Sequence, residues 1–181
     1  MNTDATLYFR QLEEADALLL HDLDQDPEVM RFITGGKTTS LEEIQEIMIP
    51  RMMSFTDVIK GWGLWGVFSS QHKSRDSFLG WILIRPMGFF TNQPKFNDLE
   101  IGWRFKRETW GRGIATRSAK YVLKQCQQLG EFNYISAIAE PGNTASINVM
   151  EKLGLSFIKC DYEKGLFDNE PVKIVLHRKA L

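Results

Sequence analysis

Cysteine and histidine are scarce in this 181-residue chain: two cysteines, Cys126 and Cys160, and three histidines, His21, His72 and His177. The cysteines stand far apart and lack the spacing of metal ligands, so no metal site is expected. Cys126 falls on the apolar stripe of a helical pattern and reads as a core residue. The histidines form no nucleophile–base pattern, and surface or helix-end positions suit them. An excess of either charge is lacking too: 22 Lys and Arg stand against 23 Asp and Glu, a net charge of -1. No global basic field therefore argues for a nucleic-acid partner. No apolar run approaches the roughly 18 residues of a membrane span, and no charged-then-apolar leader is visible. The cytoplasm is the expected location, with no membrane partner. Linkers, repeats and low-complexity tracts are absent. With 43% hydrophobic residues, the chain can bury one substantial core, and residues 1–181 are expected to form a single domain.

The patterns that are present alternate between strand and helix. Thr6 to Gln11 reads as a first strand and residues 14–23 as a short helix. Asp26 and Pro27 open another helix, as N-cap and first helical position. Ser40 and Glu43 form a capping box ahead of Ile44, Ile47 and Met48, and Pro50 should kink or divide that helix. Leu64 to Ser69 and Phe78 to Arg85 are β-runs, the second apolar enough to be buried on both faces. Residues 71–76 read as a hairpin loop, and Pro86 to Lys95 as a longer loop centred on Phe89 and Phe90. Leu99 to Phe105 alternates as a fourth strand. Ala115, Ala119, Val122, Leu123, Cys126 and Leu129 then recur at helical spacing, closed by Gly130. Tyr134 to Ala139 is a strand, and Asn143 caps a helix that ends at Gly154. Lys159 to Lys164 and Val172 to Arg178 close the sheet as an antiparallel pair.

The most informative stretch is Trp110-Gly111-Arg112-Gly113-Ile114-Ala115-Thr116, where the fourth strand gives way to the long helix. Gly111 and Gly113 allow a sharp turn that uncovers backbone N–H groups, and the first N–H groups of a helix have no intrahelical partner. With the helix dipole this makes a cradle for a phosphate or pyrophosphate. An ordinary glycine-rich strand-to-helix turn is the plainer reading. A dinucleotide-binding GxGxxG fails, because Thr116 stands where a third small residue is required. Gly35-Gly36-Lys37-Thr38 looks like the tail of a P-loop, but its leading glycine would fall on Arg31, and a turn is the better reading. A local basic cluster (Arg104, Lys106, Arg107, Arg112 and Arg117) surrounds the glycine loop. It is either a solvated edge or a complement to bound phosphates.

Four segments, in order, carry a family resemblance: Asp26-Pro-Glu-Val-Met-Arg-Phe32, Glu100-Ile-Gly-Trp103, Trp110 to Thr116, and Asn143-x-x-Ser146 followed by Met150-Glu-Lys-Leu-Gly154. On these the chain resembles the GNAT superfamily of acyl-CoA-dependent N-acyltransferases, specifically its ribosomal-protein alanine N-acetyltransferase (Rim-type) branch. The resemblance implies an α/β (α+β) fold with a mixed, mainly antiparallel sheet of about seven strands and helices on both faces. It implies acetyl-CoA as acyl donor, with Gly111, Arg112, Gly113, Ile114, Ala115 and Thr116 holding the diphosphate. The pantetheine arm would pair near Trp103 and Phe105, where the fourth and fifth strands splay at a bulge in the fourth. Asn143 would contact the cofactor, or serve only as a helix cap. Two positions depart from the pattern. Trp110 replaces the usual Gln or Arg, and Met150 stands where a tyrosine general acid often sits and cannot donate a proton.

The expected reaction is direct attack of a primary amine on the thioester in a ternary complex. Glu100, polar between Leu99 and Ile101, would face the cleft by strand alternation and take the amine's proton directly or through a water. A surface carboxylate or a structural ion pair is the competing reading. Ser146 would protonate or hydrogen-bond the leaving thiolate, unless its hydroxyl only bonds back to its own turn. The resemblance implies a protein N-terminal α-amine of the ribosomal-protein type as acceptor. Small-molecule amines remain open, and so does a non-catalytic acyl-CoA-binding sensor. The expected partners are thus acetyl-CoA and an amine acceptor, with a homodimer allowed for.

Overall fold

Alternating side chains in the N-terminal half and around residues 99–139 build one seven-stranded sheet. The computed structural model describes residues 7–69, 77–130, 132–164 and 170–181. The strands are β1 (Leu7–Gln11), β2 (Gly63–Ser69), β3 (Phe78–Met87), β4 (Lys95–Phe105), β5 (Tyr134–Ala139), β6 (Ser156–Lys164) and β7 (Pro171–Ala180). Their order is β1-β2-β3-β4-β5-β7-β6. Each pairing is antiparallel except that of β4 with β5. The expected hairpin loop at residues 71–76 lies outside the described residues, as do Thr6 and His72.

Helices cover both faces, as expected. On one face α5 (Ile114–Leu129) and α6 (Thr144–Lys152) pack Ile114, Ala119, Val122 and Met150 against Ile82, Ile84, Leu99 and Ile101. On the other, α1 (Ala17–Asp24) and α4 (Ile49–Phe55) set Leu20, Leu23, Met52 and Phe55 against Leu64, Phe68, Phe78 and Leu83. Strand alternation divides β3 between these two cores, while β4 gives Leu99, Ile101 and Phe105 to the first. Cys126 is buried, and loss of hydration pushes its thiol up to about 12, which keeps it an unreactive core residue. His177 corrects an expectation: it is buried on β7, with its ring edge-on to Phe157, rather than at a surface or helix end.

Local signals act as read in the helical region. Asp26 accepts from Glu28 N–H at 3.0 Å to start α2 (Pro27–Met30). Ser40 and Glu43 complete their reciprocal capping box at α3 (Leu41–Glu43). Pro50 cannot donate to a carbonyl one turn back, and the chain answers with a π-turn over Ile44–Met48, in which Ile49 N–H donates to Ile44 O. The extra residue re-aims α4, which begins there.

The β4–β5 seam is short. It consists of Asp98 opposite Tyr134, Leu99 opposite Ile135 and Glu100 opposite Ser136. A buried knot fastens it: Ser136 Oγ donates to Asp98 Oδ1 at 2.8 Å, while Arg178 reaches Ser136 Oγ at 3.0 Å and Asp98 Oδ2 at 2.6 Å. Past Glu100 the strands have no pairing across the seam, because β4 follows β3 and β5 follows β7. The implied bulge is not at this parting point. The β3–β4 register is unbroken from Leu99 to Phe105 and slips only between Pro86 and Met87, ahead of Glu100.

Arg104 ties the open part of β4 to α1. It is 7% exposed, donates to Asp24 Oδ1 at 2.5 Å and lies over the Trp81 ring, while Thr39 Oγ1 donates to Asp24 Oδ2. Removing one partner of so buried a pair strands the other charge. Asp24→Ala is expected to cost about 3–5 kcal/mol in chemical denaturation, and the Asp24→Ala, Arg104→Met double variant to recover most of it.

Candidate active site

The chain leaving β4 is shaped by its own hydrogen bonds. A 3-10 turn over Arg107–Thr109 is closed by Thr109 Oγ1 donating to Lys106 O at 2.7 Å. Trp110 then donates its indole N–H to Phe105 O at 2.9 Å, so the departure from the usual Gln or Arg supplies a clasp across the loop. Gly111 and Gly113 sit at φ +70° and +71°, a left-handed conformation that side chains disfavour. Gly113 is the N-cap of α5 and offers no side-chain cap. The first-turn N–H groups of a 16-residue helix thus lack a capping partner beside the positive end of its dipole, which is what a diphosphate requires.

A cavity of about 380 Å³ opens at this loop. Trp103, Phe105, Gly111, Gly113, Ile114, Ala115 and Thr116 line one side, and Asn143 and Ser146 of the α6 start line another. Arg112, expected among the diphosphate ligands, is not part of the lining. Asn143 is a helix cap, its Oδ1 accepting from Ser146 N–H at 3.1 Å, and it also faces the cavity. Ser146 Oγ accepts from the Trp103 indole N–H at 3.3 Å, an interaction between β4 and α6 that no local pattern announces. Because the indole only donates, the serine's own proton remains available to another acceptor. Met150 is 1% exposed in the core and turns away from this chemistry. Sequence reasoning also missed Glu28, Phe32, Asn148 and Lys152 in the cavity wall. The first two lie in the early segment that carried the family resemblance. The last two are one helical turn apart on α6, a spacing that could have placed them on one face.

Glu100 lies on the opposite face of β4 from Trp103, at the apex where β4 and β5 part, and is not in the cavity lining. It is 6% exposed and held bidentately, with Arg85 Nε on Oε2 at 2.8 Å and Arg85 Nη2 on Oε1 at 3.0 Å. The two residues are cross-strand partners in the β3–β4 register. Arg85 in turn lies over the Phe55 and Phe90 rings. Glu163 of β6, exposed over the residue as a whole, feels the same charges. Loss of hydration and then the Glu100 charge push its carboxyl above the usual range, against the pull of Arg85. The basic cluster, open between a solvated edge and a complement to phosphates, is partly committed to carboxylates: Arg104 turns inward to Asp24, and Arg107 pairs with Asp26 at 3.0 Å.

Residues 6–156 match the acetyltransferase (GNAT) domain family. The chain belongs to the GNAT acetyltransferases. It is 32% identical over 151 residues to the uncharacterized protein YkkB of Bacillus subtilis, covering 83% of this chain and 81% of that one. It is 28% identical to the FsC-acetyl coenzyme A-N(2)-transacetylase of Aspergillus fumigatus, covering 82% of this chain and 61% of that protein's length. Among solved structures, a RimL ribosomal L7/L12 α-N-protein acetyltransferase in complex with coenzyme A superposes with TM-score 0.70 at 15% identity, covering 99% of this chain and 97% of that one. That last likeness is one of fold. This GNAT chain is an acetyl-CoA-dependent N-acetyltransferase, with acetyl-CoA as cosubstrate. Among the described residues no cluster of His, Cys, Asp or Glu could hold a metal ion, and no helix is long and apolar enough to cross a membrane.

A Cβ added at Gly111 or Gly113 would meet nothing within 4 Å. Alanine at either therefore strains only the backbone, by about 1–2 kcal/mol per residue. The Gly111→Ala, Gly113→Ala variant is expected to stay folded by circular dichroism and to bind acetyl-CoA at least about tenfold more weakly by calorimetry. Gly130→Ala, at an extended and open position, serves as the control that leaves binding unchanged.

Proposed function

We propose that this transferase acetylates the α-amine of a protein N-terminus, by direct attack of the amine on the thioester within a ternary complex, as one domain over residues 1–181 in the cytoplasm. The observation that carries the mechanism is Ser146 Oγ, held by the Trp103 indole on the wall of the cavity that begins at the glycine loop. The diphosphate sits on the N–H groups after Gly111 and Gly113, with Ile114, Ala115 and Thr116 forming the first turn behind them. The pantetheine arm runs along the unpaired edge of β4 past Phe105 and Trp103. The four ordered segments support the N-terminal acceptor over a small-molecule amine.

The reaction needs a proton taken from the ammonium and a proton given to the thiolate. Glu100 is the acceptor of the first. Arg85 occupies one lone pair on each of its oxygens, which fixes the carboxylate plane and leaves the remaining lone pairs to receive a proton from the amine or an intervening water. The nitrogen then attacks the carbonyl carbon, the oxyanion draws on N–H donors of the unpaired β4 edge, the C–S bond breaks, and the nitrogen's second proton replaces the one that Ser146 passes to the sulfur. Ser146 donates to the departing sulfur while its oxygen stays bonded to Trp103.

Thiol release from acetyl-CoA, measured with short N-terminal peptides and small amines, tests both halves. Peptides are expected to give the higher kcat/KM. Ser146→Ala should lower kcat about a hundredfold with little change in the KM for acetyl-CoA, in the range of a lost general acid. Trp103→Phe, which removes only the indole donor, should lower kcat less. An unchanged kcat in Ser146→Ala would remove the hydroxyl from the mechanism.

A further inference from the structure

The face of the sheet that carries Glu100 holds an unsatisfied cation. Arg51 follows Pro50 on α4, immediately after the π-turn that re-aims the helix. Its guanidinium stacks on the Phe90 ring, with Cζ 3.5 Å from the centroid. Arg85 lies over the same ring at 5.2 Å, so two guanidinium groups share one aromatic platform. Phe55 and Phe89 meet Phe90 edge-on and fix that platform in place. The two cations are not equivalent. Arg85 is satisfied by Glu100, whereas Arg51 has no carboxylate within ion-pair distance and no hydrogen-bond acceptor among the described residues. It is half-buried, and loss of hydration, then the like charge of Arg85, hold it below its ordinary value despite the distant pull of Glu100. A desolvated guanidinium beside another cation gains most from an anion supplied from outside.

The location gives that anion a role. Glu100 is the last residue paired across the β4–β5 seam, so the Arg85–Glu100 pair stands where the strands open and the acceptor amine has to arrive. Arg51 is joined to that pair through the Phe90 ring that it shares with Arg85. An acceptor with its amine toward Glu100 and an anionic group toward Arg51 would span the pair, with Phe90 as its floor. A polycation would instead meet two guanidinium charges.

We propose that the acceptor amine carries a carboxylate and that Arg51, stacked on Phe90, is the residue that receives it. This rests on the acetyl transfer to an amine at Glu100 read above, not on its choice of a protein N-terminus, and it specifies an acceptor that bears an acidic group. The carboxylate can belong to a free amino acid or to an acidic side chain near a peptide N-terminus. Both present the same fork-matching group to a guanidinium.

The test measures thiol release from acetyl-CoA with matched pairs: free amino acids against their carboxamides, and peptides with glutamate as second residue against the same peptides with glutamine. Spermidine serves as the cationic amine. The carboxylate member of at least one pair is expected to have a kcat/KM about ten- to hundredfold above its amide, mostly through KM, the range of a hydrogen bond to a charged group. The responding pair identifies the source. Arg51→Gln should bring that ratio near one without changing the KM for acetyl-CoA, and Arg51→Lys should keep part of it. Matched amines used equally well, spermidine preferred over all of them, or a ratio that survives Arg51→Gln would each overturn the inference and leave the transferase reading standing. No thiol release with any amine would overturn both.

Discussion

The short parallel seam between β4 and β5 is the constraint on which the site depends. It is closed over Asp98, Leu99 and Glu100 and open beyond them. The closed end needs a fastening, because β4 and β5 are each drawn away by longer antiparallel neighbours. The Asp98–Ser136–Arg178 knot provides it from three strands at once. The open end leaves backbone groups of β4 without a strand partner, and the glycine loop at its tip leaves N–H groups of α5 without a cap. Both deficits face one cavity, and a long ligand with a diphosphate and an amide-bearing arm satisfies both.

Three arginines around that opening are paired with carboxylates. Arg178, Arg104 and Arg85 are each committed to a buried carboxylate, Asp98, Asp24 and Glu100. These pairs fix strand and helix positions, and the lesson of buried ion pairs is that their geometry matters more than their net stabilisation. Arg51, with no carboxylate at ion-pair distance among the described residues, is offered an aromatic platform instead. The Arg85–Glu100 pair therefore has two neighbours of opposite demand: Glu163 holds its proton more tightly than usual, and Arg51 calls for an anion. Such an asymmetry suits an acceptor with two unlike ends.

Most of the fold was legible because its signals are local. The capping box at Ser40, the caps at Asp26 and Asn143, the β-run of Tyr134–Ala139 and the stop at Gly154 all act within one turn or one strand. The glycine loop was legible for the same reason. What could not be read were partnerships made across the fold. Glu100 and Arg85 are cross-strand neighbours only in the realised β3–β4 register, so a structural ion pair could be allowed for but its partner could not be named. Arg104 and Arg107 could be read as a solvated edge or as a complement to phosphates, and neither reading foresaw Asp24 of α1 and Asp26 at the start of α2 as their partners. The Trp103–Ser146 contact spans two elements whose packing the periodicities do not specify. The parting of β4 and β5 needed no bulge, since continuous pairing with β3 and β7 separates the strands.

Hydrogen exchange on the amides of β4 that point toward β5 tests this account most directly. Those of Ile101–Phe105 are predicted to exchange quickly in the free protein and to slow markedly when acetyl-CoA is added, while Leu99, Glu100 and Ile135 stay protected in both states. Slow exchange of the Ile101–Phe105 edge without ligand, or exchange there that acetyl-CoA leaves unaltered, would contradict the open seam as the place where the cosubstrate binds.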